Sequence, residues 1–237
     1  MNNNEFRKGV IQPVECFKEG WEIIKNDYWL FFAISLVGML IGGVSMYILV
    51  GAMMCGIYYC FLQKIDGEPA SLDGLWTGFS YIMPSLIVTV FIVVPVFVML
   101  GIIYTPIIMA AVMGSKLSPD ELTQLLVGAF AVDFVFILFM TCFHTLLIFS
   151  FHLIVDRKLG GIQAMLTSAK AVWNNLSGIA GMIGVGILLS IPAMLTCGIG
   201  VYFLLPIMLA GYTVAYRKMF PKIGMNYNPP PPNAYQG

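Results

Sequence analysis

Long apolar runs without charged residues dominate this chain. Three of them contain no Lys, Arg, Asp or Glu and cover residues 28–63, 74–115 and 171–216, and a fourth, 122–155, contains only Asp133. A helix of about 20 apolar residues already crosses a bilayer, so runs of this length are typical of membrane proteins. Barrel strands would appear as short alternating segments, whereas these runs are continuous. The pattern therefore predicts an all-α polytopic membrane protein.

The distribution of basic residues predicts how often the chain crosses the membrane. Of its 12 Lys and Arg residues, all except Lys116 face one side if the chain has six transmembrane helices, arranged as three hairpins in 28–63, 74–155 and 171–216. A single span in 28–63 would divide them five against seven. The positive-inside rule makes the shared side cytoplasmic. This predicts a multi-pass protein of an inner (plasma) membrane with both termini in the cytoplasm.

Two of the predicted hairpins have unusual helices. The first, 28–63, leaves only about 17 residues for each span around a turn near Gly42 and Gly43, which is the lower limit for crossing. A re-entrant hairpin, which enters and returns on the same side, is the alternative there. In the second hairpin, prolines recur every 11 residues at Pro84, Pro95 and Pro106. Because proline removes a backbone donor and crowds the preceding turn, we expect a bent or broken third span.

A short amphipathic segment precedes each predicted hairpin. Each segment has apolar residues at helical spacing and a tryptophan near the start of the span, namely Trp21, Trp76 and Trp173. Amphipathic helices with tryptophan lie in the headgroup layer, so we expect three cytoplasmic interfacial helices with these residues as anchors. The predicted organisation is a flexible N-terminal arm, 1–13, a single six-helix transmembrane domain, 14–220, and a disordered Pro-rich C-terminal tail, 221–237.

Few polar side chains lie inside the apolar runs. Asp133 is the only formally charged residue within a predicted span, and such residues are functional candidates. His144 follows on nearly the same helical face but about 16 Å along the axis, too far for direct contact. The two residues are interpreted either as steps of a proton path or as local structural groups, with Asp133 near the outer interface. His152 and Asp156, one turn apart at the cytoplasmic end, are expected to form an interfacial pair.

Several classes of function find no support in the sequence. It contains no zinc-protease, P-loop or serine-hydrolase motif. The 5 cysteines form no C-x-x-C pair, which favours structural thiols over metal or redox sites. The formal net charge is +0, so no global charge favours nucleic acid. We therefore expect no enzymatic activity, no cofactor, no metal and no nucleic-acid partner.

One stretch of the chain has a recognisable pattern. In Phe151–Ser177, FHLIVDRKLGGIQAMLTSAKAVWNNLS, a span ends in Ile154, Val155 and Asp156, and an interfacial helix with Ala164 and Ser168 follows. Together with Leu49–Phe79 and Ala215–Arg217, this stretch resembles a largely uncharacterised family of multi-pass bacterial membrane proteins. That family is akin to the membrane domain attached to some glycerophosphodiester phosphodiesterases.

The resemblance covers most of residues 14–220 and implies a six-helix membrane module without a defined reaction. It does not imply phosphodiesterase activity, because that activity belongs to an attached barrel domain that this sequence does not contain. The chain departs from the family pattern at His152, where the family has proline.

These features favour a non-enzymatic integral membrane module. Its expected partners are membrane lipids, and also other membrane proteins or a second copy of the chain. The alternative is a small transporter or channel with Asp133 and His144 near its pathway. An intramembrane enzyme is a third and more distant interpretation.

Overall fold

The computed structural model describes residues 6–113, 118–196 and 198–222. Throughout these residues the chain is helical, without strands. The α-helices are α1 (Pro13–Ile24), α2 (Tyr28–Val44), α3 (Val50–Ile65), α4 (Ile82–Met113), α5 (Pro119–Leu146), α6 (Ser150–Arg157), α7 (Gly161–Trp173), α8 (Leu176–Met194) and α9 (Ile199–Met219). Two 3-10 helices, Lys25–Asp27 and Leu72–Tyr81, lead into α2 and α4. The all-α prediction is confirmed.

Among the described residues, five helical stretches are long and apolar enough to cross a membrane. They are Pro13–Val44, Leu72–Val112, Pro119–Arg157, Leu176–Met194 and Ile199–Met219. The sixth expected span corresponds to α3, which has 16 residues. An α-helix of that length measures about 24 Å, which is less than the roughly 30 Å of a hydrocarbon core. The length and composition of these helices indicate a multi-pass membrane protein. The sixth span is not confirmed.

The three predicted amphipathic segments are helical, but the second differs from the prediction. The first, α1, is joined to α2 by one 3-10 turn, so that Pro13–Val44 is a continuous helical stretch with its charged residues in the first half. The second segment, Leu72–Tyr81, is a 3-10 helix, in which residues three apart share a face. Leu75 and Gly78 therefore lie on one face, which is buried. In an α-helix, with its period of 3.6 residues, Leu75, Trp76 and Phe79 would share a face instead.

The third span is not broken. Helix α4 runs without interruption through Pro95 and Pro106 for 32 residues. Pro84 lies in the first turn of α4, where the missing N–H has no partner to lose. A neighbouring helix also contributes to this span, because the His144 ring of α5 lies against the Ile92 carbonyl of α4. The expected break is therefore absent, while the expected bend stays a prediction.

Most of the packing lies at one end of the molecule, in α1, α3, α6, α7 and the C-terminal half of α9, which we call the base. Its largest fully buried side chains are aromatic and include Tyr216, Phe61, Phe149 and Phe220. In contrast, the α4–α5 hairpin is largely uncovered. In the most apolar 18 residues of Pro119–Arg157, only 6% of the residues are buried inside the protein. In the corresponding part of Ile199–Met219, 44% are buried.

The chain packs against the base before the first helix begins. The Arg7 N–H donates to the Met219 carbonyl at 2.9 Å, and the Gly9 N–H donates to the Asn175 side chain at 2.6 Å. Ile11 is buried. Residues 1–5 and 223–237 lie outside the described residues, so a flexible start and a disordered tail stay predictions there.

Candidate functional site

The base contains a buried network of ion pairs centred on Arg217. Its guanidinium Nη2 lies 2.9 Å from Asp66 Oδ2 and 3.0 Å from Asp156 Oδ1. The three side chains are 7%, 12% and 12% exposed. Asp66 follows α3, Asp156 belongs to α6 and Arg217 belongs to α9. One guanidinium therefore ties together three segments that are far apart in the sequence.

Further partners complete the charges of this network. The Tyr216 hydroxyl donates to Asp156 at 2.7 Å, and Arg157 Nε donates to the same carboxylate at 3.1 Å. Lys222 Nζ lies 3.5 Å from Asp66 and 2.7 Å from Glu68. The pKa of Asp66 is raised overall, because burial outweighs the lowering by Arg217 and Lys222. The hydrogen bond to Glu68 raises the pKa of Lys222. The carboxylates are thus balanced by basic groups.

His152 lies fully buried beside this network. Its ring is sandwiched between Tyr58, at a centroid distance of 3.7 Å, and Tyr216, at 4.9 Å. The Thr213 hydroxyl donates to the Leu209 carbonyl, so Thr213 accepts from His152 Nε2, which lies 3.2 Å away. This hydrogen bond requires the tautomer with the proton on Nε2.

The expected pair between His152 and Asp156 does not form. His152 faces the aromatic side chains of α3 and α9, while Asp156 is bound by Tyr216, Arg157 and Arg217. Although the two residues are one turn apart on α6, each contacts side chains of other helices rather than the other residue. His152 is fully buried, whereas the network reaches the surface at Lys222 and lines a small cleft with Asp66 and Arg217. Both groups link helices of the base, which is a structural role.

The structure separates the two polar candidates of the second hairpin. Asp133 is half-buried and lines an open cleft of about 600 Å³ between α4 and α5, together with Thr105, Pro106 and Gly128. His144 does not line this cleft, and its Nε2 lies 3.2 Å from the Ile92 carbonyl. Asp133 Oδ1 has no hydrogen-bond partner among the described residues. The two side chains therefore form no common site.

The predicted anchors lie at the edge of the base with their rings uncovered. Trp21, Trp76 and Trp173 are 40%, 47% and 70% exposed. Trp29, which the sequence reasoning did not single out, is 69% exposed at the start of α2. Its position just after Asp27 is the signal that would have identified it, since tryptophan next to a charged segment is typical of a membrane interface.

No metal centre is present in the described ranges, which hold no group of three His, Cys, Asp or Glu side chains suited to an ion. Comparisons of the chain with protein-family models, curated proteins and solved structures find no match. The resemblance to the bacterial membrane-protein family therefore stays a prediction, and any function has to be argued from the geometry.

Proposed function

We propose that this chain is a non-enzymatic membrane module that associates with other membrane proteins through its α4–α5 hairpin, with lipid covering the remaining apolar surface. The observation that carries the proposal is the uncovered state of this hairpin. A self-sufficient helical bundle buries a wide face of each helix, yet α5 partly buries only one stripe and exposes the rest, including Val127, Phe130 and Phe134. In a bilayer, this surface needs an apolar environment.

Asp133 supports a protein partner over lipid alone. A carboxylate inside the membrane costs about 2.5–3.5 kcal/mol at the helix centre on insertion scales, and less near an interface. Hydrocarbon chains offer no hydrogen-bond donor, whereas a neighbouring helix can supply one. The cleft beside Asp133 is lined by the small residues Gly128 and Ala129, which allow another helix to approach closely.

The base supports the same proposal, because it fixes the uncovered hairpin to the rest of the chain. Gly161 of α7 packs against Pro84 and Ile87 of α4, and the Ser168 hydroxyl donates to the Leu146 carbonyl at 2.7 Å. The base ends of α4 and α5 are thus held in place, while their far halves have no described neighbours except each other. With both termini in the cytoplasm, the base would lie on the cytoplasmic face of an inner membrane.

Photo-crosslinking in native membranes tests this proposal. A benzoylphenylalanine at Phe130, on the Asp133 side of α5, is expected to form adducts with protein. The matched control is Leu188 of α8, which is 66% exposed against 73% for Phe130 and belongs to a hairpin packed on the base. Adducts with lipid alone at both positions would contradict the protein partner.

The second candidate function is transport, because Asp133 lines an open cleft and its buried Oδ1 has no hydrogen-bond partner among the described residues. If Asp133 carried protons or cations, Asp133→Asn would abolish flux at nearly constant side-chain volume. We expect instead that vesicles containing the chain show no flux above protein-free vesicles, and that Asp133→Asn leaves the midpoint of thermal unfolding unchanged or higher. A proton or cation flux that is lost in Asp133→Asn would establish transport and overturn the module.

A further inference from the structure

The tip of the α2–α3 hairpin reaches only to the middle of α4. The tip is the turn Ser45–Leu49, and its Tyr47 ring lies 6.4 Å from the Phe97 ring of α4. Beyond Phe97, α4 continues to Met113, which adds about 24 Å. If α4 crosses the bilayer, the tip of the first hairpin lies far from the outer surface.

The contacts of α3 indicate the same depth. Gly51, near the start of α3, packs against Ser85 and Thr89 in the first turns of α4. At the other end of this hairpin, Asp66 reaches the ion-pair network of the base. The whole of α3 thus lies alongside the base-proximal part of α4, and α3 is inclined to that helix rather than following it outward.

The surface of this tip is suited to hydrocarbon. Val44 and Met46 are each 84% exposed and Ile48 is 64% exposed, and no charged residue occurs in 28–63. A turn in water commonly carries polar or charged side chains, whereas this one presents large apolar groups. Acyl chains are the environment that matches such a surface.

The hydrogen bonds of the turn satisfy the strictest requirement of hydrocarbon, which is that backbone donors find partners within the protein. All six N–H groups from Ser45 to Val50 donate within the hairpin. Five of them donate to carbonyl oxygens of Ile41, Gly42, Gly43, Ser45 and Tyr47. The sixth, Leu49, donates to the Ser45 hydroxyl at 3.1 Å. A turn facing water has no need of such complete pairing, because water supplies acceptors.

The turn accepts an unfavourable backbone conformation to achieve this pairing. Met46 and Tyr47 have φ values of 52° and 69°, in the left-handed region that favours glycine. A residue other than glycine held in such a region is strained. Such a conformation is expected where the surroundings offer no other hydrogen-bond acceptor, as in hydrocarbon.

We propose that α2–α3 is a re-entrant hairpin, which enters from and returns to the face where the base lies and places Val44, Met46, Tyr47 and Ile48 among acyl chains near the bilayer midplane. Its ligand is the lipid hydrocarbon of one leaflet, into which it inserts as a wedge. The inference goes beyond association with a protein partner and requires only that the chain is embedded in a membrane.

Depth-dependent quenching in vesicles tests the proposal. The full chain carries Ile48→Cys with an attached fluorophore, in a background where the exposed Cys142 and also Cys197 are replaced by serine; Cys16, Cys55 and Cys60 are buried. We expect strongest quenching by lipids with a nitroxide near the acyl-chain end. The intrinsic tryptophans provide a reference, because they should be quenched most by a nitroxide near the headgroup.

Labelling with a membrane-impermeant maleimide gives the second readout. Before the fluorophore is attached, Ile48→Cys is expected to resist the reagent from both faces, while Asp120→Cys, at the start of α5, reacts from the outer face. Met46→Cys repeats the measurement should Ile48→Cys fail to fold. Reaction of either tip cysteine from the outer face would show a spanning hairpin, and strongest quenching near the headgroup would show a surface hairpin; each outcome overturns the proposal. Neither outcome bears on crosslinking at Phe130.

Discussion

Arg217→Met is expected to lower the free energy of unfolding by about 3–5 kcal/mol, which is the usual cost of breaking a buried ion pair by removing one partner. Methionine keeps most of the volume of the side chain but leaves Asp66 and Asp156 without the cation that lies 2.9 and 3.0 Å away. Both carboxylates are largely buried, so water replaces this cation poorly. Denaturant unfolding in detergent micelles measures the loss.

The matched control is Lys25→Met, which removes an ion pair between the exposed side chains of Lys25 and Glu22. Because exposed pairs contribute about 0–1 kcal/mol, this variant should unfold almost like the unchanged protein. Adding Asp66→Asn to Arg217→Met should recover part of the lost stability, because Asp66 then carries no charge and Asp156 keeps Arg157, 3.1 Å away, as its cation. Equal losses in Arg217→Met and Lys25→Met would contradict a stabilising network.

Gly56→Ala is expected to destabilise the base by about 3 kcal/mol, at the upper end of what overpacking costs. A Cβ at Gly56 would lie 2.0 Å from the Leu75 carbonyl oxygen. The obstacle is backbone rather than the end of a flexible side chain, so α3 and the 3-10 helix Leu72–Tyr81 have to separate. The midpoint of thermal unfolding, followed by helical circular dichroism in detergent, should fall markedly.

Gly43→Ala provides the control in the neighbouring helix. No atom lies within 4 Å of a Cβ at Gly43, and alanine is favoured over glycine in a helix by roughly 0.5–1 kcal/mol. This variant should therefore be unchanged or slightly more stable. If Gly56→Ala were as stable as Gly43→Ala, the close crossing at Gly56 would not exist in solution.

The helical class and the longest helices could be predicted from the sequence because charge and hydrophobicity report directly on the bilayer. The uncharged run 74–115 predicts a helix, and the structure has α4 there, preceded by the 3-10 helix Leu72–Tyr81. The period of that segment could not be predicted, because it is decided by tertiary packing. Gly78 and Leu75 fit closely against α3 only when residues three apart share a face.

The buried network could not be predicted because its members are distant in sequence. Asp66, Asp156 and Arg217 each stand at the end of an apolar run, where a charge is normally explained by the membrane surface alone. Only the packing of α3, α6 and α9 brings these ends together. The separation of Asp133 from His144, by contrast, follows from the rise of a single helix, and it was predictable from their spacing.

The position of Arg217 also has a consequence for biosynthesis. A ribosome makes Asp66 and Asp156 before it makes Arg217, yet both carboxylates depend on this cation once the base is packed. A nascent chain that has inserted its earlier hairpins therefore cannot close its base until translation has passed the ninth helix. Until then Asp66 and Asp156 lack the guanidinium that bridges them in the packed base, so the base is expected to close only after the earlier hairpins have been made.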